Sequence, residues 1–284
     1  MTRSAPWMFL LPAALCMTAA GCLESDVELA VQRDGSGVVT ETVWLTQATL
    51  EMGGLVGAGV GQQPEGEFHP MVMRMADKAG LEKRAAAMGE GVTLKSVKPQ
   101  KGKDGRQGYV AVYDVKDVNQ LALGMGPPIR RLPRRPGDQP KENKDQVLIR
   151  YKPGSNKVTI VMPKGEIPAG EAAKPPPKPI GKDQKQMFEI MKQQMFSGMK
   201  IAVRLKVPGT ITKTNASLVN PKKDGVSLLE MNIGALILDE KLAKKLDQIG
   251  PIMNVREARE KLNDPEMKKY VKFETAPKVE IEFR

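Results

Sequence analysis

The sequence holds one histidine and two cysteines in 284 residues, and these scarcities exclude more chemistry than any motif adds. A single imidazole, His69, rules out every mechanism or metal centre that needs two within one chain. Pro70 follows it and no nucleophile elbow around a serine is present, so His69 reads as a loop residue. Cys16 falls inside an apolar N-terminal stretch that reads as a cleavable leader, which leaves Cys22 as the lone cysteine of the mature chain. No intramolecular disulfide is then possible. An unpaired thiol is unwelcome in an oxidising compartment, and a lipid in thioether linkage removes it. Long hydrophobic runs are missing too. The stretch from Ala5 to Ala20 is broken by Pro6 and Pro12 and falls short of the roughly 20 apolar residues of a comfortable membrane span.

What is present at the N-terminus is the pattern of a bacterial lipoprotein signal. One early charge, Arg3, precedes the apolar stretch, and Met17-Thr18-Ala19-Ala20-Gly21 places small residues directly before Cys22. Ala19 stands where leucine is more usual; an ordinary secretory signal or an uncleaved anchor is the alternative. The expectation is a signal peptide over 1–21 and a covalent N-terminal lipid, palmitate included, on Cys22, with no other cofactor. Leu23 is not the aspartate associated with inner-membrane retention, which favours an outer membrane, facing the periplasm, in a Gram-negative cell.

Lys and Arg number 44 against 33 Asp and Glu. In the cytoplasm such a balance suggests nucleic acid; in the envelope the available anions are lipid headgroups, polysaccharide phosphates and cell-wall polymers, and no nucleic acid is expected. The one true cluster, Arg130, Arg131, Arg134 and Arg135, lies among Pro127, Pro128, Pro133 and Pro136, so 124–145 reads as an exposed Pro/Arg-rich loop. The glycines between Gly53 and Gly61 lack the strand, spacing and helix of a phosphate-cradling loop, and read as a loop or weak helix.

Alternating apolar residues predict a hairpin from Val27 to Leu45 around Asp34-Gly35-Ser36-Gly37. A helix is expected over Pro70–Met88, broken near Gly80, then strands Val92–Val97 and Gly108–Val115, and a short turn from Asp117 that buries Leu121 and Leu123. A second hairpin, Val147–Lys152 and Val158–Met162, turns at Pro153-Gly154-Ser155-Asn156. Residues 163–182 read as a Pro-rich linker, followed by a helix from Asp183 to Gly198 and strands Lys200–Val207 and Val226–Asn232. Helices are expected over Asp239–Ile249 and Val255–Asn263, and a last strand over Lys278–Phe283 has one wet face. Hairpin-linked strands, a few helices and no repeating βα unit predict an α+β fold with antiparallel sheet. The divisions are an N-terminal α+β region over 22–162 and a C-terminal one over 183–284, with the sharing of one sheet between them left open.

Two stretches carry a family resemblance: Cys22-Leu23-Glu24-Ser25-Asp26-Val27-Glu28-Leu29 running into Arg33-Asp34-Gly35-Ser36-Gly37, and Lys200 to Ile211, with Pro208-Gly209, followed by Thr214-Asn215-Ala216. Together they resemble LppM-like bacterial lipoproteins. The resemblance implies an envelope α+β domain on a lipid anchor, one that handles lipid or glycolipid, and it transfers no catalytic residue. With no catalytic set in view, the expectation is a non-enzymatic binding or scaffold module.

Methionine supplies the other candidates. Met187, Met191, Met195 and Met199 recur every fourth residue, along one helical face; Met71, Met73 and Met75 alternate after His69. Core packing is the leading reading, since methionine fills gaps; a hydrophobic groove for lipid or partner, and Cu(I) binding by soft thioethers, are the alternatives. An envelope hydrolase using carboxylates is a third class, although Asp239-Glu240 suit a helix start and Glu280 and Glu282 the wet face of a strand.

Overall fold

In the computed structural model the described residues are 23–51, 66–124, 146–162, 198–249 and 264–284. Cys22, the leader, the glycine-rich stretch, residues 125–145, the linker with most of the helix expected after it, and the helix expected over Val255–Asn263 lie outside them.

The first hairpin forms as its alternation requires. β1 (Leu23–Val31) and β2 (Gly37–Leu45) each place every second residue inward, in one unbroken antiparallel register from Leu23 opposite Leu45 to Val31 opposite Gly37. Gly35 takes a φ of +89° at the turn, a conformation glycine adopts without steric cost, and Asp34 Oδ1 accepts from the Ser36 backbone N–H at 2.9 Å.

Between His69 and Met88 the chain forms two helices, α1 (Pro70–Met75) and α2 (Lys78–Met88). The break expected near Gly80 falls instead at Ala76 and Asp77. Asp77 is the N-cap, its carboxylate accepting from the Gly80 N–H at 2.8 Å, so Gly80 sits inside the first turn of α2. β3 (Val92–Lys101) and β4 (Gln107–Val115) follow, then a 3₁₀ turn at Val118–Gln120 and β5 (Ala122–Gly124). Leu121 and Leu123 are buried, as expected. β6 (Gln146–Tyr151) and β7 (Lys157–Val161) make the second hairpin, and β8 (Lys200–Lys206), β9 (Ile211–Thr214) and β10 (Gly225–Asn232) come next. The chain closes with α3 (Ile233–Leu238), α4 (Glu240–Ile249), β11 (Val271–Phe273) and β12 (Lys278–Phe283). The short elements β5, β9, β11 and α3 have no counterpart in the sequence reading, being too brief to show a period.

The strands form two mostly antiparallel sheets: seven strands in the order β11-β10-β8-β1-β2-β4-β3, and five in the order β5-β6-β7-β12-β9. The exception is β1 with β8, which pair in parallel, so strands from either side of the linker lie side by side. The same is true of β7 and β12. Inward residues of both sheets, with Val72, Leu81, Ala85 and Met88 of the helices, form one continuous apolar core. A smaller cluster joins Leu236, Leu242, Met267 and Val271 under the β11 edge.

The stretches that carry the family resemblance turn out to be fold-fixing devices. Asn215 accepts from the Glu280 N–H at 2.7 Å and donates to the Lys278 carbonyl at 2.9 Å, while the Thr214 hydroxyl donates to the Glu280 carbonyl at 2.7 Å. These side chains stitch β9 to β12. A Cβ on Gly209 would lie 2.1 Å from the Arg284 carbonyl oxygen, so only glycine admits the C-terminus there.

Two carboxylates among the described residues are sealed from solvent: Glu274, held by Ser217 and the Ala276 N–H, and Glu41, which has a cation beside it. Glu41 on β2 is 1% exposed; Tyr109 on β4 donates to its Oε1 at 2.6 Å, and Arg84 of α2 pairs with it and donates to the Tyr109 oxygen at 3.1 Å. Burial pushes the Tyr109 phenol well above its ordinary range, and the Glu41 charge adds to this. Burial also works against the Arg84 charge, but Glu41 and the tyrosines outweigh it, holding the guanidinium firmly charged. Arg84→Ala strands Glu41 and should cost about 3–5 kcal/mol in urea unfolding, with much of it recovered by Glu41→Leu/Arg84→Met. A loss under about 1 kcal/mol would mean the carboxylate is reached by water.

Candidate functional site

The outer face of the seven-stranded sheet carries charge in stripes. β1 presents Glu24, Asp26 and Glu28, its parallel neighbour β8 presents Lys200, Arg204 and Lys206, and Glu230 of β10 sits beside Lys272 of β11. Arg204 pairs with Asp26 and lies 3.8 Å from Glu230; Lys206 meets Glu28 at 3.0 Å and Lys272 meets Glu230 at 3.4 Å. Burial works against the Glu230 charge, but the Ser227 hydroxyl, Lys272 and Arg204 outweigh it, so its pKa is lowered. Between β1, β8, β10 and Tyr270 lies a groove of about 210 Å³, lined mostly by these charged side chains with Ile201, Ala202 and Met231. That is below the ~300–1,000 Å³ of a pocket enclosing a drug-sized ligand. It suits a small polar group rather than an acyl chain. A more open groove of about 460 Å³ on the five-stranded sheet is lined by Arg150, Lys152 and Lys157 among others, but Lys157 is held by Glu280 at 2.7 Å.

The groove opens towards one end of the sheet. The registers bring Leu23, Leu45, Gln107 and Lys101 into line there, with Lys200 and Asn232 across β8 and β10. α1 starts at this end, because the His69 N–H donates to Gln107 Oε1 at 2.8 Å. α3 starts there too, its Gly234 N–H donating to the Met199 carbonyl at 3.1 Å. Three aromatic rings share this end, each with a cation near its face: Arg106 at 5.5 Å from the Trp44 ring centre, Lys101 at 5.3 Å from Phe68, and Lys269 at 5.2 Å from Tyr270. No sequence period announces this gathering, because the three rings come from β2, the loop before α1 and the turn before β11.

Cys22 and Met187, Met191 and Met195 fall outside the described residues. Met199 packs against the core just before β8. Met71 and Met75 share one face of α1 and also pack against the core, whereas Met73 points away and is 49% exposed. His69 is the N-cap of α1: its Nδ1 accepts from the Met71 N–H at 3.2 Å. Burial, helped by Arg74, lowers its pKa, which keeps that acceptor unprotonated near neutral pH. Asp239 accepts from the Lys241 and Leu242 N–H groups and so caps α4. Among the described residues, no group of three or more His, Cys, Asp or Glu is placed to hold a metal ion.

Charge reversal at the seam, Arg204→Glu, puts a carboxylate beside Asp26, Glu28 and Glu230 and should lower the unfolding midpoint. The swap Asp26→Arg/Arg204→Asp should recover part of the loss, with a coupling of about 0.2–1 kcal/mol for a half-exposed pair. Glu280 gives a pH signature. Hydrogen bonds from Lys157 and Lys278 hold its pKa near 2 against an ordinary 4.5. Its contribution is therefore complete above the unfolded value and is lost as pH falls from 4.5 towards 2. Melting temperatures of the native protein and Glu280→Gln should differ at neutral pH and converge across that window; a constant gap would contradict the assignment.

No protein-family model matches the chain, and no curated protein matches it either. Among solved structures it is similar to the NMR structure of the folded domain of LppM from Mycobacterium tuberculosis, with 10% identity over 76% of this chain and 85% of that one and a TM-score of 0.32. This is a distant structural resemblance.

Proposed function

We propose that the protein is a lipid-anchored component of a bacterial cell envelope, acting as a non-enzymatic binding or scaffold module for polar headgroups of lipid or glycolipid. The observation that carries the reading is that the residue bonded to the proposed modification site is already part of a sheet: Leu23 lies in β1, and every strand among the described residues comes after the cleavage point. Attached acyl chains contribute about 0.8 kcal/mol per buried methylene, so two or more fix a protein to a bilayer durably. Among the described residues no helix is long and apolar enough to cross a membrane.

Several features favour binding over catalysis. Glu41 is enclosed, Glu280 is too acidic to serve as a proton donor at neutral pH, and His69 is spent as a helix cap. The charged groove between β1, β8 and β10 has the size and polarity for a phosphate or sugar headgroup. Mass spectrometry of the mature N-terminus should find an acylated Cys22, and Cys22→Ser should move the protein out of the membrane fraction. An unmodified N-terminus, or one lacking Cys22, would refute the proposal.

A further inference from the structure

We infer that the end of the seven-stranded sheet carrying Trp44, Phe68 and Tyr270 is a membrane-contact face that binds the anionic headgroups of the bilayer in which the chain is anchored. The inference rests on the proposed lipid at Cys22 and adds what the structure says about orientation. Consecutive Cα atoms are about 3.8 Å apart, and Leu23 is already fixed: it is 1% exposed and paired with Leu45. An acylated Cys22 therefore has no tether. The lipid pulls on the sheet itself, and this end of the sheet is held at the headgroup layer.

The composition of this end fits that place. Tryptophan and tyrosine prefer the membrane interface, where an apolar ring and a polar edge are both satisfied, and lysines there are drawn to anionic headgroups. Lys101, Lys103, Lys200, Lys268 and Lys269 are all exposed, and no carboxylate partners them among the described residues. Carboxylates are present, but Glu24 and Asp104 are both taken by Arg106; Glu67 and Glu51 remain exposed, the latter accepting from Gln47 at 3.0 Å. Apolar side chains are offered as well. Leu238, at the end of α3, is 37% exposed and Met73 of α1 is 49% exposed, both on helices that start at this end. The opposite end also exposes cations without a carboxylate partner among the described residues, Lys116, Lys152, Lys222 and Lys223 among them, but none of the three cation–aromatic pairs lies there. There the β1–β2 and β6–β7 turns meet, with the Tyr151 hydroxyl donating to the Arg33 carbonyl at 3.1 Å.

The chain supplies its own reporter. Of two tryptophans, Trp7 lies in the leader, so Trp44 is the only one in a processed protein. The lipidated protein is placed in vesicles containing phosphatidylcholine brominated near the glycerol backbone, with and without phosphatidylglycerol. Trp44 emission should be quenched several-fold, and more so with the anionic lipid. A Trp44→Phe/Ser155→Trp variant carries its reporter in the β6–β7 turn, on the order of 26 Å away along the sheet, and should be quenched little. Lys103→Gln/Lys200→Gln/Lys269→Gln changes only exposed side chains. It should abolish the extra quenching by anionic lipid, each lysine shifting the balance between apposed and detached orientations about five-fold; circular dichroism checks that the fold is kept.

Mass spectrometry on the same sample separates the two ideas. An unmodified N-terminus overturns both the anchor and the contact face. An acylated Cys22 with Trp44 unquenched, or with the Ser155→Trp reporter quenched as strongly, overturns the contact face alone. A Trp44 signal perturbed by inorganic polyphosphate but not by lipid would make this end a site for soluble polyanions and would also overturn it.

Discussion

The structure depends on the parallel pairing of β1 with β8. A parallel pair cannot close through a tight turn and needs a long crossover. Here the crossover is most of the chain, and Arg204 meets Asp26 across 178 positions of sequence. On the inner face Val27 lies beside Val203 and Leu29 beside Leu205, all buried. On the outer face an acidic strand lies against a basic one, which disfavours a slipped register because each slip turns the apolar row outward. Remove this seam and the N-terminal hairpin, with the strands and helices attached to it, loses its tie to β10 and β11.

The seam also decides where the two halves of the site meet. β1 contributes the residue next to the proposed anchor, β2 contributes Trp44, and β8 and β10 carry Lys200 and the turn to α3 to the same end. The cation–aromatic pairs at that end are individually small effects. Their joint position gives the molecule a chemical polarity: cation-facing aromatic rings and the starts of α1 and α3 gather at one end, while exposed lysines are found at both.

The hairpins were legible in the sequence because alternation and turn chemistry are local. β1, β2, β6, β7 and β12 obey the period of two with few exceptions, and Asp34-Gly35-Ser36-Gly37 could only be a turn. The sequence puts the helix break near Gly80, because glycine is a poor helix former, whereas the Asp77 cap three residues earlier sets the start of α2. His69 stands in the loop that its following proline implies, and there it caps α1. The buried Glu41, Arg84 and Tyr109 left no trace in the sequence, since they come from β2, α2 and β4 and only packing brings them together and closes water out around them.

By itself the sequence determined the fold class, most strand positions and the absence of a two-histidine site, all properties set by neighbours along the chain. It also placed Cys22 shortly before the first expected strand, at Val27, which the structure extends back to Leu23. Only the tertiary structure decided that β1 and β8 pair in parallel, and that strands from both sides of the linker enter both sheets. Tertiary structure likewise gathered Trp44, Phe68 and Tyr270 with their cations at the end where β1 begins. The physical reason is that non-local strand pairing is selected by the fit of whole faces, apolar on one side and charge-matched on the other, and no window along the sequence contains both partners.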